Sequence, residues 1–113
     1  MSVTPRCLLQ ATPAPAVDTV VLTSLPNTRT IIDKFSGVNV TAAAVAITIK
    51  IIPAGGSPAT GNIVVKDKVL GANEDFGFAA MVGQKLEPGD TVSVIASAAA
   101  AINLRISGTL ITT

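Results

Sequence analysis

Between Ala46 and Ile51 three isoleucines, Ile47, Ile49 and Ile51, alternate with Thr48 and Lys50. A period of two sends successive side chains to opposite faces, which fits a half-buried strand and excludes a helix, whose apolar positions recur every three or four residues. The pattern returns near the C-terminus, where Ile102, Leu104 and Ile106 alternate with Asn103, Arg105 and Ser107 and the run continues to Ile111. It is present again where Val92 and Val94 are expected inward and Thr91, Ser93 and Ile95 outward. The composition agrees: 13 Val, 11 Ile and 13 Thr are the stiff β-branched types that pack well on a pleated surface, and good helix formers other than Ala are scarce. An all-β chain is predicted.

Glycine and proline punctuate these runs instead of pervading them, so the chain is expected to fold. Val17–Thr23 reads as a strand, Leu25–Thr28 as a turn, and Arg29 to about Val40 as a longer strand with a bend or bulge near Gly37. After the Ile47–Ile51 strand, the prolines and glycines of Pro53–Gly61 favour a loop. The next strand has Ile63, Val65 and Asp67 on one side and Val64, Lys66 and Lys68 on the other, an edge on which lysines discourage stray pairing. Gly71–Asp75 reads as a turn, Phe76–Met81 as a short strand, and Gln84–Leu86 as another. Glu87-Pro88-Gly89-Asp90 has Pro and Gly where a type II turn needs them. Ser97–Ala101 is alanine-rich yet too short and uncapped to nucleate a helix. Seven or eight short strands at this spacing predict one small β-sandwich, either jelly-roll or immunoglobulin-like. With three Phe and no Trp or Tyr, its core is expected to be filled by Ile, Val, Leu and Ala. Residues 1–16 are polar, proline-containing and aperiodic, so they are read as an extended N-terminal arm of polyproline character, with the sandwich domain spanning residues 17–113.

A chain of 113 residues is one domain. Eight Lys/Arg against seven Asp/Glu leave a net charge of +1, without the basic face that a nucleic-acid binder needs to release counterions. No nucleic-acid partner is expected. Nor is a membrane partner, because no apolar run reaches the roughly 18 residues that cross a bilayer as a helix. The apolar stretch after Arg6 is too short for a secretory h-region, so no signal peptide is read. The lone Cys7 has no internal partner and fits a reducing compartment.

No catalytic, cofactor-binding or metal site is predicted. Histidine is absent, and the carboxylates Asp18, Asp33, Asp67, Glu74, Asp75, Glu87 and Asp90 are dispersed, mostly at turns, where acid–base catalysis wants a poised pair. Asn73-Glu74-Asp75 is too compact for a Ca²⁺ loop, whose ligands spread over about twelve residues. The glycines at 55, 56 and 61 lack the Gly-Lys-Ser/Thr ending of a phosphate loop. Asn39-Val40-Thr41 matches the N-glycosylation pattern but has no secretory context and is discounted.

Four segments in order, Ile51-Ile52-Pro53-Ala54-Gly55-Gly56, Gly71-Ala72-Asn73-Glu74, Leu86-Glu87-Pro88-Gly89-Asp90-Thr91-Val92 and Ile102-Asn103-Leu104-Arg105-Ile106-Ser107-Gly108, resemble the small β-sandwich virion structural proteins of tailed bacteriophages. The resemblance covers about residues 17–112. It implies a non-enzymatic protein on the capsid surface, of the decoration or cement kind, forming a homotrimer or homodimer and contacting the major capsid protein or another virion protein. Assembly in the host cytoplasm follows from the same resemblance. A tail, baseplate or head-fibre component is the alternative within that class, and a carbohydrate-binding module is the alternative outside it, disfavoured because Trp and Tyr, the usual sugar-stacking residues, are absent. Charged residues are only 13% of the chain, where about 25% is usual. So few charges cannot cover the surface, which is read either as a Thr-rich solvated face or, as favoured here, as area buried against other protein; residues 1–16 and the loops 53–61 and 71–75 are the candidate contacts.

Overall fold

The alternating segments all become strands, and the order in which they pair selects the topology. The structure is a computed structural model that describes residues 2–112, Ala11 by its backbone alone. Among these residues nine strands follow one another: β1 (Ser2–Pro13), β2 (Thr19–Thr23), β3 (Thr28–Asn39), β4 (Val45–Ile52), β5 (Ile63–Leu70), β6 (Asp75–Gly77), β7 (Lys85–Leu86), β8 (Thr91–Ala96) and β9 (Ile102–Thr112). One sheet has the order β1-β9-β3-β6, with β7 also on β3; the other has the order β2-β8-β4-β5. All pairings are antiparallel. The pairs β1 with β9, β2 with β8, β3 with β6 and β4 with β5 are nested, as though one long hairpin had been wrapped into two layers. That is a jelly-roll, which resolves the choice left open by periodicity.

Inward-facing positions meet between the layers. Ile32, Ile47, Ile49, Val92, Val94, Ile102, Leu104 and Ile106 are fully buried, each contributing about 1.5–3 kcal/mol relative to exposure. The aromatic residues take a larger part in this core than their number suggests. Phe35 and Phe78 are its largest buried side chains. Their rings meet edge to face at 5.3 Å, and Phe76 meets Phe78 in the same way at 5.2 Å. Such contacts add about 0.5–1.5 kcal/mol each beyond burial.

Three expectations need correction. Residues 2–13 are extended as expected of an arm, but they form a strand and raise the count to nine. Polyproline and β backbones lie close together in dihedral space, and the neighbouring β9 supplies the ladder that a lone arm would lack. Phe76–Met81 is not one strand: β6 ends at Gly77, Phe78 donates its N–H to the Phe35 carbonyl at 2.8 Å, and Ala79–Met81 forms a 3-10 turn. Departure from the strand carries Phe78 and Met81 into the core. The irregularity of β3 falls at Asp33, between Ile32 and Lys34, and not at Gly37. Gly37 is needed for space, since a Cβ there would stand 3.1–3.3 Å from Ile102, Phe78 and Leu104.

Other local readings agree with the structure. Gly89 has φ +88° and Asp90 N–H donates to the Glu87 carbonyl, as a type II turn requires. β5 is an outer strand, bulged where Asp67 takes φ +46°. Thr48 on β4 secures that bulge, its hydroxyl accepting from Asp67 N–H at 3.0 Å and donating to the Asp67 carboxylate at 3.2 Å. No helix among the described residues is long and apolar enough to cross a membrane.

Candidate interaction surfaces

Six of the seven carboxylates, all but Asp75, are engaged by neighbouring groups. Asp90 ties one end of the sandwich: its carboxylate accepts from Ala54 N–H and Glu87 N–H, each at 3.0 Å, and its carbonyl accepts from Ser24 N–H at 2.9 Å. Glu74 closes its own turn by accepting from Gly71 N–H at 2.6 Å. Asp33 accepts from the Thr109 hydroxyl, and Asp18 is paired with Lys50 on the outer side of the second sheet. Exposed Glu87 pairs with Arg29 at 2.9 Å. Among the described residues no three His, Cys, Asp or Glu side chains come together as metal ligands would.

Asn39, the residue of the discounted glycosylation pattern, is fully buried. Its Nδ2 lies 2.8–3.0 Å from the carbonyls of Ala43, Leu70 and Gly71, while its Oδ1 accepts from the Thr41 N–H and hydroxyl. The amide therefore binds the end of β3 in one sheet to the end of β5 in the other. In the sequence Asn39 and Thr41 stand only as ends of a three-residue motif; their structural use depends on Leu70 and Gly71, some thirty positions away.

The three candidate contact segments do not converge. The 53–61 loop joins the Ser24–Asn27 and Glu87–Asp90 turns at one end, as the bonds of Ala54 and Ser24 to Asp90 show. The 71–75 turn lies at the other end with 40–44, where Asn73 N–H donates to the Thr41 carbonyl. β4 (Val45–Ile52) runs from the 40–44 side to the 53–61 side, so these loops form two separate tips, and β1 flanks the body as an outer strand of the first sheet.

A chain of this mass is expected to expose about 5,800 Å², and the structure exposes 5820 Å². The few charges are thus spread over an ordinary area. Between them Val3, Val17, Val20, Leu25, Val38, Val40, Val69 and Val82 stand 40–69% exposed. Val38 and Val82 line a groove of about 540 Å³ beside β3 and β6, together with apolar Phe76 and Ala79 and charged Asp33, Lys34 and Asp75. The groove is a feature that no sequence motif announced, because β6 and Val82 reach β3 only through the fold.

No family model matches the chain, and no curated protein matches it. Among solved structures it is similar to a chain in the structure of infectious bursal disease virus Gt strain. The likeness has a TM-score of 0.47 and 11% identity, covering 96% of this chain and 32% of that one. The present chain therefore spans about a third of the length of the viral chain it matches.

Proposed function

We propose that this chain is a non-enzymatic structural protein of a tailed-phage virion, one that self-associates on the head surface and cements the shell. The observation that carries the proposal is the surface: eight large apolar side chains stand 40–69% exposed, spread over both sheets and their loops, on a body with few charges and a net charge near zero, conditions that favour self-association of a free monomer. The jelly-roll supports the reading as an architecture of capsid proteins, though lectin domains share it. The four sequence segments quoted above point the same way. Partners on this reading are further copies of the chain, as homotrimer or homodimer, and the major capsid protein or another virion protein. Assembly takes place in the host cytoplasm.

The mechanism is cohesion. Two loop tips at opposite ends of β4 suit a part that touches one neighbour at each end. A protein that binds the assembled shell and not its free subunits displaces the equilibrium toward the shell, by about 2.7 kcal/mol at a hundred times Kd.

The test is cosedimentation of the purified chain with heads of the virus that encodes it, followed by cryo-microscopy and a heat challenge. Saturable binding, density repeating with the head lattice and greater heat resistance are expected. Density confined to the tail would move the protein to the tail, baseplate or fibre. A monodisperse monomer that ignores heads and binds a glycan array would overturn the proposal in favour of a sugar-binding module.

A further inference from the structure

β1 is attached to the body with little side-chain burial. The side chains of Ser2–Cys7 are all exposed, so this stretch is held mainly by its backbone ladder to β9, with one exposed hydroxyl pair, Ser2 with Thr112 at 3.0 Å, beside it. Leu8 and Leu9 pack against the core. The seat of Leu8 exists because residue 108 is glycine: a Cβ there would lie 2.6 Å from Leu8 Cδ1 and would collide with the Ile31 carbonyl oxygen.

The ladder loses register twice, between Cys7 and Leu9 and between Leu9 and Thr12. Beyond the second break the chain is fixed. Ala14 is fully buried, its N–H donates to the Ile102 carbonyl at 2.7 Å, and the Pro15 carbonyl accepts from Ala96 N–H at 2.8 Å. Pro13 and Pro15 also confine the residues before them, Thr12 and Ala14, to extended backbone. The irregular step between Leu9 and Thr12 is thus the last place before the fixed segment at which β1 would change direction.

We infer that residues 2–9 are an exchangeable strand: they leave their own β9 and complete the first sheet of a second copy of this chain, in the same register, with Leu8 set over that copy's glycine seat. The ladder is the same whether closed within one copy or exchanged between two. The balance is then decided by the hinge and by the further surface two copies bury, which makes exchange of an identical element a low-cost route to an oligomer. Addition of a strand to the bare edge of β1 is the competing contact. Pro5 and Pro13 oppose it, because each removes a donor, which is tolerated only on an outer edge. The occupant of the β9 slot is a copy of β1 because that strand already fits it, with Arg6 its only charge. The exchange stands on the geometry of β1 and is separable from the virion role, which oligomerisation through other faces would equally serve.

Cys7 and Ser107 are direct cross-strand partners, so Ser107→Cys alone puts two thiols opposite each other. The variant, expressed as a mixture of ¹⁴N and ¹⁵N chains that were unfolded and refolded together, is oxidised at assembly concentration and run on a denaturing gel without reductant. Exchange predicts a doubling of the 11.4 kDa chain mass, reversed by reductant, with hybrid-isotope peptides linking positions 7 and 107. The unsubstituted chain and Cys7→Ser/Ser107→Cys are expected to stay monomeric on that gel. Monomers carrying an internal 7–107 bridge, thiols that remain free, or equal dimer in either control would overturn the exchange. An internal bridge in a chain that light scattering still finds oligomeric would leave the virion reading standing and remove only this inference.

Discussion

Replacing Asn39 tests the claim that one buried amide joins the two sheets. In Asn39→Ala the carbonyls of Ala43, Leu70 and Gly71 lose their donor, and Thr41 loses the acceptor for its N–H and hydroxyl. An amide has two N–H bonds to offer three carbonyls, so about four hydrogen bonds are lost at a net ~0.5–1.5 kcal/mol each. Thr41 lies at the edge of a loop where water replaces part of its share, which brings the expected cost to about 3 kcal/mol. For a domain of this size that corresponds to a fall in Tm of about 12 °C, read by circular dichroism. Asn39→Asp keeps the shape and reverses one end, turning a donor into an oxygen that faces three carbonyl oxygens. Burial and those dipoles raise the folded-state pKa of the introduced carboxyl above its unfolded value. Stability tied to the protonated form is then present below the unfolded pKa and lost as pH rises through the folded one. Urea unfolding at about pH 4 and about pH 7 is accordingly expected to favour the acid condition for Asn39→Asp, relative to both the unsubstituted chain and Asn39→Ala. A loss below about 1 kcal/mol in Asn39→Ala, smaller than a single typical buried bond with its unmet partner, would refute the tie between the sheets.

Gly108→Ala introduces a Cβ that meets the backbone oxygen of Ile31 and the tip of Leu8; about 1–3 kcal/mol of destabilisation by chemical denaturation is expected, as for overpacking, with faster proteolysis of residues 2–9. Lys50→Met leaves the half-buried Asp18 carboxylate, whose Oδ1 is unpartnered, without its cation. A loss of about 1–3 kcal/mol is expected, below the ~3–5 of a fully buried pair, and Lys50→Met/Asp18→Asn should recover most of it in the same denaturation assay. Arg29→Ala is expected to change stability by less than about 0.5 kcal/mol, because its pair with Glu87 lies 62% and 59% exposed and such pairs contribute little; a larger loss would mean that the Glu87–Asp90 turn depends on that guanidinium.

The sequence by itself determined what is local. Alternation over Ile47–Ile51 and Ile102–Ser107 depends on the backbone pleat, and Gly89 in its turn depends on which residue tolerates positive φ, so both were readable without a partner in view. Tertiary structure decided what required distant residues. Ser2–Pro13 became strand β1 because β9 offers a ladder, and Phe78 and Met81 left their strand because the space between the sheets accepts them. Asn39 became a tie because β5 ends beside it, and the loops 53–61 and 71–75 were separated to opposite ends by the wrapping of nested pairs. A period of two tells a residue which way to face, but it does not encode the strand that will lie alongside; that choice belongs to the packing of the whole chain.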